Sequence, residues 1–176
     1  ATGGFGANVE MRQKYNEQWA NLDSSIGCSN QSVAAQGDGI VMGEAIGAQL
    51  IDMGLIQLHP NGEVGTGMMM GVPGTPGLNR IFVNNEGKRF VSEDARRDVM
   101  VNAIYAQPDG NMWVIADTNK YPEGNVEIEN AVLLGKAFKG NTVEELAKEI
   151  GVDAANLQKS IDDYNHNPKV MSEVQI

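Results

Sequence analysis

Residues 61–77, NGEVGTGMMMGVPGTPG, hold six glycines and two prolines around three consecutive methionines. That density interrupts helix and strand alike, because glycine loosens the backbone and proline removes a donor. Irregular backbone of this length inside a compact chain marks a functional or a disordered loop. Glycine-rich turns and helix precede it, and a compact α+β unit follows. The division is placed near residue 58, giving segments 1–58 and 59–176.

In the first segment, ATGGFGANVEM reads as the end of a buried strand entering a glycine-rich turn. A helix is expected over about residues 8–20, with Met11, Tyr15 and Trp19 at four-residue spacing. Polar residues 23–36 read as loop. GDGIVMGEAIGAQL reads as a glycine-opened helix with Ile40, Val41, Ala45 and Ala48 near one face. Its glycines would cost an exposed helix about 1 kcal/mol each relative to alanine, so close packing against a neighbour or a cofactor explains them better. LIQLHP reads as a short apolar strand stopped by Pro60.

In the second segment, RIFVNNEGKRFVS reads as a hairpin about an Asn-Glu-Gly turn. Ser92 is placed to cap a helix in EDARRDVMVNAIYAQ, with Glu93 and Asp94 in its first turn and Pro108-Asp109-Gly110 ending it. MWVIAD is the next strand. Thr142 and Glu145 form a capping box for NTVEELAKEIGV, and Asp153 opens a helix in DAANLQKSIDDYN.

Composition removes several functions. A formal charge of −10 argues against nonspecific nucleic-acid binding, which draws on lysine and arginine to displace counterions. One cysteine, Cys28, excludes an internal disulfide framework and a cysteine-rich zinc site. No apolar run approaches the roughly 20 residues of a membrane-spanning helix. No Walker loop, G-x-G-x-x-G fingerprint, zincin spacing or serine–histidine–acid set is present, and no metal site is assigned. The methionine triplet reads as packing. Compartment and electron donor stay open.

Arg96 and Arg97 fall at the expected helix start, where the partial positive charge of unpaired N–H groups disfavours cations. An i,i+4 pair from Glu93 to Arg97 is one account, worth about 0.3–0.5 kcal/mol. On a helical projection, however, both arginines fall towards the side bearing Val99, Met100, Ala103 and Ile104. A carboxylate ligand would meet such a cation in bidentate geometry. Spacing does not choose between the two. His59, ending a strand beside a glycine-rich loop, is placed either as a structural residue or as a ligand contact. His166 reads as a cation at a helix C-terminus.

Taken in order, ATGGF, GDGIVMGEAIGA, IQLHP, IFVNNEGKRFVSEDARRD, MWVIAD and TVEELAKEIGVDAANLQKSIDDYN resemble one family over residues 1 to about 167. It is the family of fumarate reductase and succinate dehydrogenase flavoprotein subunits, on the flavocytochrome-c-like branch, with urocanate reductase and 3-ketosteroid dehydrogenases as relatives. The resemblance implies an α+β capping domain from about residue 59 and a flanking piece of the FAD-binding domain before it. It implies FAD contacts at Ala1, Thr2, Gly3, Gly4, Asp38 and Gly39, and a place between flavin and substrate for Gln57 and His59. The motif opened by Arg89 and Phe90, with Glu93 inside it, ends on Arg97, which the resemblance makes the proton donor to an unsaturated carboxylate. Arg96 is carried as a substrate contact.

Fumarate reductases of this branch have a Thr-Glu and an arginine upstream of the hairpin. Here MMMGVPGTPG has neither acid nor base, so another unsaturated substrate, or dehydrogenation, fits as well as fumarate. The family's N-terminal FAD fingerprint and its C-terminal substrate residues are missing too. The chain therefore reads as an internal fragment, not expected to hold FAD tightly by itself. A noncatalytic binding module that keeps the capping fold is the rival reading.

Overall fold

In the second half of the chain, alternation along Arg80-Ile81-Phe82-Val83 sends successive side chains to opposite faces of a strand. The computed structural model describes residues 3–28, 34–67 and 79–166, in two units, Ala1–Val72 and Pro73–Ile176. In the second unit, β1 (Arg80–Val83) pairs antiparallel with β2 (Trp113–Ala116), Ile81 opposite Ile115 and Phe82 opposite Val114. Four further elements follow in this unit: α3 (Arg97–Tyr105), α4 (Val126–Leu133), α5 (Val143–Ile150) and α6 (Ala154–His166). They are numbered after the two helices of the first unit, α1 (Val9–Tyr15) and α2 (Asp38–Ala45).

The two faces of β1 build two cores. Ile81 and Val83 join Ile115, Ala147 and Leu157, with Leu146 and Ile161 beside them, so α5 and α6 cover one face. Phe82 joins Phe90, Val91, Met100 and Ile104, so α3 covers the other. Burying a side chain such as Leu157 or Phe82 contributes about 1.5–3 kcal/mol.

The expected hairpin forms in part. Asn84 N donates to Lys88 O at 2.9 Å, and Val83 bridges Arg89, but β1's ladder partner is β2. Gly87 turns the chain at φ +78°, and Ser160 ties the turn to α6 by donating to Gly87 O and accepting from Arg89 N. The capping box is present: Glu145 N donates to Thr142 Oγ1, and the Glu145 carboxylate accepts from Asn141 N. Asp153 accepts from Asn156 N at the start of α6. His166, at the end of α6, sets Nδ1 2.7 Å from Asp162 O.

In the first unit, Asn8 caps α1 by accepting from Met11 N. The helix stops earlier than its spacing suggests, because the Asn16 side chain accepts from Trp19 N and donates to Trp19 O, folding the chain into a turn. Buried Trp19 donates its indole N–H to Ile56 O at 2.6 Å. Buried Arg12 donates to the carbonyls of Ile26 and Asp23. No strand is present at LIQLHP or ahead of α1 among the described residues. The LIQLHP segment has no ladder partner there: Ile56 N turns back to Gly54 O, and Ile56 O takes the indole. The α2 face expected to pack has no buried residue, and Val41 and Met42 are exposed. Most of the methionine loop, residues 68–78, lies outside the described residues, as do Ala1 and Thr2.

Candidate functional site

The RFVSEDARRD segment folds differently from its helical reading. Glu93, four residues from an arginine on either side, takes the earlier one. Arg89 Nε and Nη2 donate to its two carboxylate oxygens at 2.9 and 2.5 Å, with side chains 6% and 2% exposed. Glu93 Oε1 also accepts from Phe82 N at 3.0 Å, joining the pair to β1. The Arg89 guanidinium lies 5.0 Å from the Tyr164 ring centre, on α6. The Glu93–Arg97 pair is therefore not formed.

With Glu93 held inside, the chain turns through Ser92–Ala95, and α3 begins only at Arg97. Ser92 does not cap it; its hydroxyl donates to Asp94. Arg96 is the N-cap residue, in extended conformation, without a capping side chain. Neither arginine lies among the apolar residues: Arg96 and Arg97 are both exposed, and the buried face of α3 is Met100, Val101 and Ile104. Arg96 donates through Nε and Nη2 to Asp98 at 3.0 and 2.7 Å, and this hydrogen bond holds the Asp98 carboxyl below its ordinary 3.8. Arg97 makes no ion pair with a described residue. Of the three arginines of the motif, two have carboxylates and the last has none among the described residues.

In the first unit, two of the glycine motifs come together. Ala7 N donates to Ala35 O at 3.0 Å, and Asn8 Nδ2 donates to Gln36 O at 2.9 Å. A Cβ on Gly37, at φ +88°, would lie 3.1 Å from Phe5 Cβ. The GGFG turn thus sits against the GDG start of α2. Gly3 and Gly4 are exposed with open space where a Cβ would be. α2 carries no side-chain cap, Asp38 is exposed in its first turn, and Gly39 is half-buried. Glycine backbone beside an uncapped helix start suits a cofactor with phosphate, hydroxyl and carbonyl groups. These residues fit a flavin nucleotide.

His59 is half-buried, and its Nδ1 accepts from Asn61 N at 3.2 Å, which assigns the ring proton of the neutral form to Nε2. Gln57 is exposed. No group of histidine, cysteine and acidic residues suited to a metal occurs among the described residues, and no helix there is long and apolar enough to cross a membrane.

Adjacent glycine turns and a free helix start are features of a nucleotide-cofactor fold. A family model described as FAD binding domain matches residues 1–175, and the chain belongs to that family. Over 172 residues it is 42% identical to urocanate reductase of Eggerthella lenta, covering 94% of this chain and 28% of that protein. It is 40% identical over 169 residues to the NADH:acrylate oxidoreductase of Vibrio harveyi, covering 94% of this chain and 17% of that protein. Among solved structures, the open conformation of a flavocytochrome c3 fumarate reductase matches with a TM-score of 0.69 at 33% identity, over 94% of this chain and 28% of that one. The resemblance drawn from the ordered motifs, and FAD as the family's cofactor, are borne out. The chain spans less than a third of the length of these relatives.

The buried Arg89–Glu93 pair escaped the reading of spacing alone. The usable signal was the apolar Phe90-Val91 between the two charges, which draws that stretch inward.

Proposed function

We propose that this chain is part of an FAD-dependent oxidoreductase that adds hydrogen to, or removes it from, a carbon–carbon double bond conjugated to a carboxylate. Segment 1–58 would contribute to the flavin site and 59–176 would form the capping domain over it. The observation that carries this is Arg97, an exposed guanidinium opening α3 with no ion pair among the described residues, while Arg89 and Arg96 are both held by acids. Urocanate, acrylate and fumarate, named for the relatives, each join a carbon–carbon double bond to a carboxylate.

Ala1, Thr2, Gly3, Gly4, Asp38 and Gly39 would hold FAD, which when bound supplies a hydride to the β-carbon. The substrate's α-carbon then gains carbanion character, and Arg97 donates an Nη–H proton to it. Hydride plus proton saturate the double bond. A guanidinium is a poor acid towards water, yet it is matched to a strongly basic carbanion whose charge it also stabilises. Gln57 and the Nε2–H of His59 would orient the substrate, and Arg96 would add positive charge at the mouth. Closure of the capping domain would exclude water from the reacting carbons.

The test is turnover by the full-length protein with reduced viologen, over a panel of enoates and their saturated counterparts. Reduction of conjugated carboxylates, with much poorer use of the matching amides, is the expected result. No turnover of any enoate in either direction would refute the proposal.

A further inference from the structure

Arg80 is a buried arginine with neither a carboxylate nor a carbonyl partner for its side chain among the described residues. It opens β1 and is 6% exposed, and its Nε is buried without a hydrogen-bond partner. It makes no ion pair with a described residue. Arg12 also has a buried Nε without a partner, but its two Nη groups donate to backbone carbonyls, and Arg89 is matched by Glu93.

A guanidinium stays charged in a protein and cannot escape burial by losing its proton. Part of the compensation is aromatic: the guanidinium carbon lies 5.1 Å from the ring centre of Phe82, which is itself fully buried. A ring face leaves the Nε–H unanswered, and an anion in the plane of the fork would answer it. Among the titratable groups around it, Tyr121 has its phenol raised above 10.0 by burial, against the opposing charge of Arg80 and with the charge of Glu127, so it offers a neutral hydroxyl. Glu93, which accepts from Phe82 N, is committed to Arg89.

The placement connects Arg80 to α3. Arg80 and Phe82 share one face of β1, and Phe82 packs with Met100 and Ile104 of the helix that Arg97 opens.

We propose that Arg80 is a carboxylate-binding residue, donating Nε–H and Nη–H in bidentate fashion to the carboxylate of the enoate substrate. Only the identity of the ligand rests on the proposed function, since the binding itself needs no flavin. A purely structural Arg80 would pack its aliphatic stem and ignore anions.

The experiment follows arginine Nε–H resonances of the isotopically labelled 176-residue chain during titration with sodium acrylate. Acrylamide and sodium chloride serve as controls at matched ionic strength. Arg80→Lys, which lacks an Nε–H, assigns the signal. The expected result is a saturable shift of the Arg80 signal with acrylate alone. The remaining shifts of the acrylate-bound chain should be lost in Arg80→Met, weakened in Arg80→Lys and retained in Arg97→Gln. No saturable shift, or an equal response to acrylamide or chloride, overturns the proposal. Should Arg80→Met not fold, the wild-type titration and the Lys variant decide. A normal acrylate response beside unchanged turnover of Arg97 variants would retain Arg80 and reject the proton-donor role, so the two claims fail separately.

Discussion

Replacing Glu93 by glutamine is expected to unfold the second unit far more easily than any surface-charge substitution. The Glu93 carboxylate takes two hydrogen bonds from Arg89, at 2.9 and 2.5 Å, and one from Phe82 N at 3.0 Å, in side chains 2% and 6% exposed. Glutamine keeps an oxygen for Phe82 N but removes the negative charge facing the buried guanidinium. Removing one partner of a buried pair costs about 3–5 kcal/mol, against about 0.3–0.5 kcal/mol for an exposed i,i+4 pair. For a unit of this size 1 kcal/mol moves the midpoint by roughly 4–8 °C, so a fall beyond about 12 °C is expected. Glu93→Ala should cost about 1–3 kcal/mol more, because Phe82 N–H is then left without an acceptor. Arg89→Met leaves the buried Glu93 carboxylate without its cation and should cost a comparable amount. Urea unfolding followed by circular dichroism measures all three. A Glu93→Gln effect below about 1 kcal/mol would refute the reasoning, since it would equal that of a solvated pair.

Two further substitutions test the turn and the helix start. Gly87→Ala should destabilise by more than Gly151→Ala. Both glycines have positive φ, worth about 1–2 kcal/mol for a residue with a Cβ, but only at Gly87 would that Cβ lie 2.8 Å from a carbonyl oxygen, that of Asp153. Equal denaturation midpoints would contradict this. Asp98 is held below its ordinary 3.8 by the hydrogen bond from Arg96, so its contribution is present above that value and lost as pH falls through the lower folded value. Asp98→Asn should therefore flatten stability against pH only below about pH 4, and an unchanged acid limb would exclude the linkage.

Legibility in the sequence followed the range of the interactions. The caps at Thr142 and Asp153 are local hydrogen bonds between residues three or four apart, and the structure has them as read. β1 and β2 were visible as β-branched and aromatic runs, but their mutual pairing was not, because it joins residues some thirty positions apart. LIQLHP shows the converse. Its pattern suits a strand, yet a strand needs a neighbour, and here Ile56 O goes to an indole N–H. α4 was missed because none of its residues is buried and Val126, Leu133 and Leu134 are exposed, so it carries no stripe to detect.

At the site, the glycine motifs and Arg97 were legible only as an ordered set of motifs. Which arginine Glu93 would take was not, since both stand four residues away and spacing is silent on direction. Burial decided it, through Phe82 N and the ring of Tyr164.

The central claim is that Arg97 delivers the proton completing reduction of the double bond. The direct measurement is kcat of the full-length protein with Arg97→Ala and Arg97→Lys, using reduced viologen and the best enoate of the panel, with flavin content confirmed by absorbance. A lost general acid predicts a fall of about 10²- to 10⁴-fold in both variants, with FAD still bound. Turnover unchanged in both would contradict the account.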